Sequence, residues 1–333
     1  MRKFIGLILV LAMLYGGYWF VGRSQIQSQL TAAILQVDAS EINVTYETLT
    51  TRGFPSRFDT TLINLIVEDP NAHIRWETPI FQLLALSYQP NNVRAYFPKE
   101  QVFMINGKHY TLFTNKMVAR GQVSPSKSLA FQQAELELLN PRLRAENGAE
   151  LSLARLFAAM RLTPGTTQSY DVYFEALSIL LPKDIRNIID PQNLQQQIIQ
   201  SLRLDCDIML SDQIELNSTD ADADALSIAA LSIKEFALTW GQMSVSAIGD
   251  ITSDETGLMD GSITISASNW QQTLDLAVSS GILEDEHIFL VTQIANNLDE
   301  TPQIPDILTV TLSIVKGELT ISGFVLGPAP LIR

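Results

Sequence analysis

The stretch 41-EINVTYETLTTRGFPSRFDTTLINLIVE-68 decides the fold. Ile42, Val44 and Tyr46 alternate with polar residues, and threonine recurs. Arg57–Glu68 resumes the alternation, with Phe58, Thr60, Leu62, Asn64 and Ile66 on one side. A side-chain period of two, rich in β-branched residues, marks a strand. Between the runs stands Arg52-Gly53-Phe54-Pro55, where glycine and proline together interrupt regular structure. Strand, turn and strand predict a β-hairpin.

Toward the C-terminus the texture continues. His73–Trp76, Phe81–Tyr88, Val93–Phe97 and Gln101–Ile105 read as short strands, separated by Thr78-Pro79, Gln89-Pro90-Asn91-Asn92 and Pro98-Lys99. Asn106-Gly107 follows, a hairpin dipeptide because both residues accept positive φ. Tyr110–Thr114, Lys116–Val123 and Leu129–Leu138 extend the meander, and Glu150–Met160 fits either period. Tyr170–Leu180 alternates again. Pro182–Leu202 predicts one or two short helices, with Asp190-Pro191 as a helix start. Arg203–Asn217, Leu226–Asp250 and Gly261–Ser268 return to strand. Asn269–Ser279 predicts a helix capped by Asn269, with Trp270, Leu274 and Ala277 on one stripe. Glu284–Asn297 predicts another, its leading acids complementing the helix dipole. A last hairpin, Asp306–Lys316 with Glu318–Leu326, turns at Lys316-Gly317.

Toward the N-terminus lies 4-FIGLILVLAMLYGGYWFVG-22, without a charge and flanked by Arg2, Lys3 and Arg23. At helical rise it spans about 28 Å, close to a bilayer's hydrocarbon core. Tyr15, Tyr18 and Trp19 gather near its end, where aromatic rings favour the membrane interface. Three positive charges precede it, counting the start amine, and after Arg23 nothing basic occurs until Arg52. The positive-inside tendency therefore puts the N-terminus in the cytoplasm and the bulk in the periplasm, as a single-pass inner-membrane protein. A cleaved signal peptide would need a shorter apolar core and a small-x-small cleavage site, and the run instead ends in Tyr-Trp-Phe-Val. The expected organisation is an anchor over residues 1–23, an amphipathic helical connector over 24–40, and a β-rich domain over 41–333 with a subdivision near 182–202.

The net charge of −14 opposes nucleic-acid binding, since a polyphosphate would meet repulsion over most of the surface. Cys206 is the only cysteine, so no internal disulfide forms, and its place in an alternating run predicts a buried, inert thiol. His73, His109 and His287 stand apart from one another and from suitably spaced acids, so no metal-ligand spacing appears. Asp220, Asp222 and Asp224 start like a calcium loop, but Ala225 holds the glycine position and Leu231 the closing acid. Ser124-Pro-Ser-Lys127 fits a Ser-x-x-Lys pattern without its companion motifs, and Pro125 opposes the helix that pattern needs. No cofactor and no enzymatic activity are expected. What remains is aromatic and proline-marked: Phe54, Pro55, Trp76, Pro79, Tyr88, Pro90, Trp240 and Trp270. Their plain reading is core packing and turn geometry. Their sharper reading is the lining of an apolar groove.

The anchor ending in Gly-Tyr-Trp-Phe, Gly53-Phe-Pro-Ser-Arg-Phe-Asp59, Trp76-Glu-Thr-Pro79, Leu86-Ser-Tyr-Gln-Pro-Asn91, Gly249 to Trp270 and Leu326-Gly-Pro-Ala-Pro330 resemble a bacterial membrane-anchored family known as domain of unknown function 2125. The resemblance spans nearly the whole chain and implies no activity. The anchor followed by strand, Gly-Phe-Pro turn and strand is more loosely similar to AsmA-like periplasmic proteins. That likeness implies holding or moving lipid along a curved β-sheet groove.

The expected fold is mainly β (α+β): a transmembrane helix, then an elongated, curved antiparallel sheet with a few short helices, because long sheets curl and must cover one face. The leading functional reading is a binding module that holds lipid or another apolar ligand in that interior, with the bilayer as partner through Phe4–Gly22. The alternative is an envelope scaffold with a packed core and protein partners. An enzyme has the least support.

Overall fold

Helix α1 (Arg2–Ala39) opens the chain. Anchor and connector are one uninterrupted helix, because neither glycine nor proline follows Gly22 to break it. The computed structural model describes residues 2–39, 42–193, 195–216, 226–254, 257–279, 281, 307–315, 317–321 and 324–329, excepting the side chains of 2–9, 29–30, 32–39, 324 and 326. The first part of Phe4–Gly22 therefore has no described side chains. Among the described residues no helix is long and apolar enough to cross a membrane. The expected helix over 284–297 and the acidic stretch 220–224 also lie outside the described residues.

The chain divides into two compact units. The first comprises residues 1–125 and 136–148, the second 126–135 and 149–333. The stretch 182–202 lies inside the second unit.

The first unit is built on β1 (Asn43–Thr45), β2 (Thr48–Arg52), β3 (Arg57–Asp69), β4 (Ile74–Leu86), β5 (Gln89–Tyr96), β6 (Glu100–Ile105), β7 (Lys108–Phe113), β8 (Lys116–Val123) and β10 (Arg142–Ala145). Strand β9 (Phe131–Leu139) runs through the division at residue 135. β3 with β1, β2 and β4, β4 with β5 and β6, β5 with β8, and β7 with β6 and β10 all pair antiparallel. β3 holds β2 and β1 along one edge and β4 along the other, and the expected hairpin across Gly53–Pro55 is present. β4 then forks: its first half pairs with β6 and its second with β5. Pro79 sits between the two pairings, where a residue without an N–H removes no ladder bond. At Asn106-Gly107 both residues have positive φ, 50° and 76°, and β6 turns into β7 as the dipeptide predicts.

One expectation for β3 changes. Phe58, Thr60 and Leu62 are buried on one side, but Asn64 is exposed and Leu65 is buried in its place. The cause is local. Asn64 adopts a left-handed φ of 50°, which an asparagine tolerates, and this shifts the inward phase by one residue.

The second unit contains β11 (Glu150–Ser152), β12 (Arg155–Leu162), β13 (Ser169–Leu180), helix α2 (Lys183–Ile189), β14 (Ile198–Leu210), β15 (Ile228–Trp240), β16 (Met243–Ser253), β17 (Met259–Ser268), helix α3 (Trp270–Ser279), β18 (Ile307–Val315), β19 (Glu318–Ile321) and β20 (Phe324–Pro328). From β12 onward each strand pairs with the next in an antiparallel meander. Glu150–Met160, ambiguous in sequence, is strand. The Asp190-Pro191 expectation is corrected: Asp190 ends α2 instead of starting a helix. Pro191 cannot extend the helix, and the buried Asp190 carboxylate accepts the Gln195 N–H at 3.0 Å. Residues 198–202 consequently join β14. Helix α3 forms, but the expected Asn269 side-chain cap is corrected. Asn269 has φ 49° and accepts the Thr273 N–H on its carbonyl, while its side chain donates to the Gln242 carbonyl at 2.7 Å.

Candidate functional site

The sequence-predicted residues fall in three places, two in the first unit and one in the second. In the first unit, α1 docks on the turns at Gly53–Ser56 and Ser87–Tyr88. Trp19 is 3 % exposed. Its indole stacks on Phe58 at 5.9 Å, meets Phe54 edge-on at 5.4 Å, and donates to the Arg57 carbonyl at 2.8 Å. Tyr18 donates its hydroxyl to the Ser87 carbonyl at 2.7 Å, and the Tyr15 and Ser87 hydroxyls share a hydrogen bond at 2.9 Å. Gly22 permits this approach, because a Cβ there would lie 2.8 Å from the Phe58 ring. Phe54 and Tyr88 remain more than half exposed, so these rings project beyond the joint they help to make. The Phe54–Pro55 peptide is cis, and Pro90 is exposed at the start of β5.

Trp76 belongs to a separate cluster in the same unit. It stacks on Phe103 at 6.4 Å and meets Phe81 and Phe97 at 5.8 and 5.9 Å. Its indole donates to Gln101 Oε1 at 3.0 Å, which satisfies a glutamine that is 1 % exposed. Pro79 borders a neighbouring concavity of about 410 Å³ over Leu65, Thr78 and Gln101.

The second unit presents a broader apolar face. Pairing places Ala176, Leu202, Leu238, Val245, Ala267 and Leu308 opposite one another across six strands. A second row runs Phe174, Leu204, Phe236, Ala247, Ile265 and Val310. A third runs Val172, Cys206, Ile233, Gly249, Ile263, Leu312 and Ile321. One end of this face is closed. There Trp240 and Met243, 2 % and 1 % exposed, pack with Ile179, Ile199 and Leu276, and Trp270 packs with Ala267, Leu274 and Leu308. The Trp240 indole donates to the Gln196 carbonyl at 2.7 Å. Midway along the face, Leu204, Phe236, Ile263, Ile265, Val310 and Leu312 stay partly exposed. Trp240 and Trp270 thus close one end of the face, and the open stretch is lined by Phe236 and aliphatic residues that no single motif in the sequence marks. Only their paired register brings them together.

Two glycines mark a close backbone approach on this face. A Cβ at Gly249 would lie 2.2 Å from the Ser262 carbonyl oxygen, and one at Gly261 would lie 2.1 Å from that of Asp250. Gly249 and Gly261 share the apolar side, where only glycine lets the two strands come this near.

The opposite face is hydroxylated and charged. Thr264 and Thr311, Ser266 and Thr309, and Ser244 and Ser268 pair their hydroxyls at 3.0, 2.9 and 2.8 Å. Asp171 accepts from the Thr163 hydroxyl at 2.7 Å and from Arg161 at 2.8 Å, and these bonds hold its carboxyl below the usual range against the opposing effect of burial. Cys206 lies 1 % exposed in the apolar rows, and burial, with Asp205 and Asp207 nearby, pushes its thiol up.

The sequence model of a family described as "Uncharacterized protein conserved in bacteria (DUF2125)" matches residues 19–330. A search of curated proteins found no match.

Proposed function

The chain belongs to the bacterial family DUF2125, and from that premise we propose that it is an envelope protein, tethered to the inner membrane by α1, that holds a lipid or other apolar ligand against the apolar face of its second unit. The observation that carries this reading is the partly exposed apolar surface of Leu204, Phe236, Ile263, Ile265, Val310 and Leu312 over β14–β18, with a close approach of two strand backbones at Gly249 and Gly261. Contiguous apolar area of this kind marks a binding surface in a soluble domain. The net charge of −14 and the hydroxylated opposite face suit a protein whose other side meets water. The looser AsmA-like resemblance points to the same ligand class.

The test is native mass spectrometry of the full chain purified in detergent, followed by solvent extraction. Truncation at Ser24 would remove Trp19, which is part of the folded core of the first unit. Co-purifying lipid at a defined ratio, lost in Ile265→Asp and Val310→Asp variants that keep their circular dichroism, supports the carrier. A folded chain that stays lipid-free after incubation with envelope lipid extract overturns it and favours the scaffold reading.

A further inference from the structure

The uncharged run of α1 and the turns of the first unit overlap along the helix. A Cβ on Gly16 would lie 3.9 Å from the Phe54 ring, and Phe54 stacks on Phe20 at 6.0 Å. Ser87 bonds the hydroxyls of both Tyr15 and Tyr18. The turns at Gly53–Ser56 and Ser87–Tyr88 thus reach the level of Gly16, about 9 Å before the run ends at Gly22. The joint is closed at the buried Trp19, so the turns keep this level along the helix. A helix that enters a bilayer carries both tips in with it.

The tips are built for such a place. No residue from Gly53 to Ser56 or from Ser87 to Val93 is charged. Irregular backbone at membrane depth is tolerated where its polar groups are satisfied inside the protein. Here they turn inward. The Gly53 carbonyl accepts the Arg57 N–H and the Ser56 carbonyl accepts the Ser87 N–H, both at 2.9 Å. The Ser87 hydroxyl donates to the Pro55 carbonyl at 3.2 Å, and the Arg57 and Ser87 carbonyls accept from Trp19 and Tyr18. Pro55 and Pro90 have no N–H to satisfy. The rings turn outward instead. Phe54 and Tyr88 are more than half exposed, and so are Leu14, Phe20 and Val21 on the same stretch of α1. We propose that the turns at Gly53–Ser56 and Ser87–Tyr88 form a second membrane contact, seating Phe54 and Tyr88 in the interfacial zone of the bilayer that α1 enters. Phe54 supplies apolar area, and Tyr88 a ring whose hydroxyl stays among the headgroups. The first unit then sits in the lipid surface, not above it on a stalk. The proposal rests on the tether proposed above and is independent of the second unit's apolar face.

The test uses the full chain with Cys206→Ala and one new cysteine, Tyr88→Cys, Phe54→Cys, Leu11→Cys or Lys108→Cys, labelled with nitrobenzoxadiazole. Each is reconstituted in phosphatidylcholine–phosphatidylglycerol nanodiscs, which leave both membrane faces open to solvent. Leu11 reports the helix. Lys108 is exposed and reports the far end of β4, because its partner Ile105 pairs with Ile74, whereas Tyr88 follows Leu86. Aqueous iodide and doxyl-labelled lipid then quench each label in turn. The labels at 88 and 54 should be about fivefold less sensitive to iodide than the label at 108, and quenched by doxyl lipid as the label at 11 is. Iodide quenching at 88 and 54 equal to that at 108, with the label at 11 quenched by lipid, overturns the contact and leaves the tether standing. A label at 11 quenched by iodide alone overturns the contact together with the tether. Protection of the label at 88 from both quenchers means that a second copy covers the rings, and overturns the bilayer assignment. Circular dichroism and melting temperature establish that each variant folds. Tyr88, the more exposed ring, decides the outcome where Phe54→Cys loosens the contact with Trp19.

Discussion

Trp19 donates its indole N–H to the backbone carbonyl of Arg57, 38 residues away, at 2.8 Å. The N-terminal helix is thereby part of the first unit's core. Trp19→Ala removes the stacking on Phe58 as well as this bond and should cost about 3–5 kcal/mol. Trp19→Phe keeps much of the ring contact and should cost about 1 kcal/mol plus the penalty of an orphaned carbonyl. Thermal unfolding of the full chain in detergent measures both. Equal melting temperatures for Trp19→Ala and the parent would mean that the helix and the hairpin are not energetically joined.

Gly22 and Phe58 form the tightest approach of that joint. Gly22→Ala puts a methyl within van der Waals overlap of the buried ring and should destabilise by about 1–3 kcal/mol. Phe58→Leu shortens the opposing side chain. The double variant should therefore lose less than the sum of the singles, a coupling that a double-mutant cycle on unfolding free energies reads directly.

Gly249 and Gly261 give the sharpest prediction for the second unit. A methyl at either site meets a neighbouring carbonyl oxygen, which belongs to the backbone and cannot rotate aside. Gly261 also has φ 144°, a region L-residues rarely adopt. Gly261→Ala should lower the melting temperature more than Gly249→Ala, and both should weaken ligand retention by forcing the two strands apart. Intact lipid binding in a folded Gly249→Ala chain would separate this close approach from function.

Acid should loosen the charged face in a defined order. The folded-state pKa of Asp171 lies below its unfolded value, so its contribution is present above the unfolded pKa and lost as pH falls through the folded pKa. Thr163→Val removes the largest cause of that depression. The variant should be about 1 kcal/mol less stable near neutrality and should converge with the parent near pH 2, as melting temperatures from pH 7 to pH 2 would record.

Cys206 should resist maleimide in the native chain and react quickly in denaturant, since the thiol is both 1 % exposed and held protonated by burial. Rapid native labelling would show that the apolar rows open to solvent.

Much of the fold was legible because two-residue periodicity survives in the residues themselves. The Gly53–Pro55 hairpin, the Asn106-Gly107 turn and helix α3 follow directly from local chemistry. What was not legible depends on partners distant in sequence. Asn64 shifts the phase of β3 by a backbone torsion that its neighbours do not announce. Asp190 looks like a helix start until its carboxylate is seen bonding Gln195. The site residues divide in the same way. Aromatic and proline markers fall at the α1 joint, the Trp76 cluster and the closed end at Trp240. The open face is made of Phe236 and ordinary leucines, isoleucines and valines whose alignment is a property of register.

The meander of the second unit has a consequence for how it is made. From β13 onward each strand pairs with its chain neighbour, so the sheet can lengthen in the order of synthesis, with little loop-closure entropy to overcome at short turns such as that between β15 and β16. Such growth leaves a fresh pairing edge at every step, and a chain emerging among its own copies must stop it somewhere. The last strand ends in Gly327-Pro328, and proline has no N–H to offer a newcomer. β20, the last described strand, is therefore a poor primer for joining one molecule to the next.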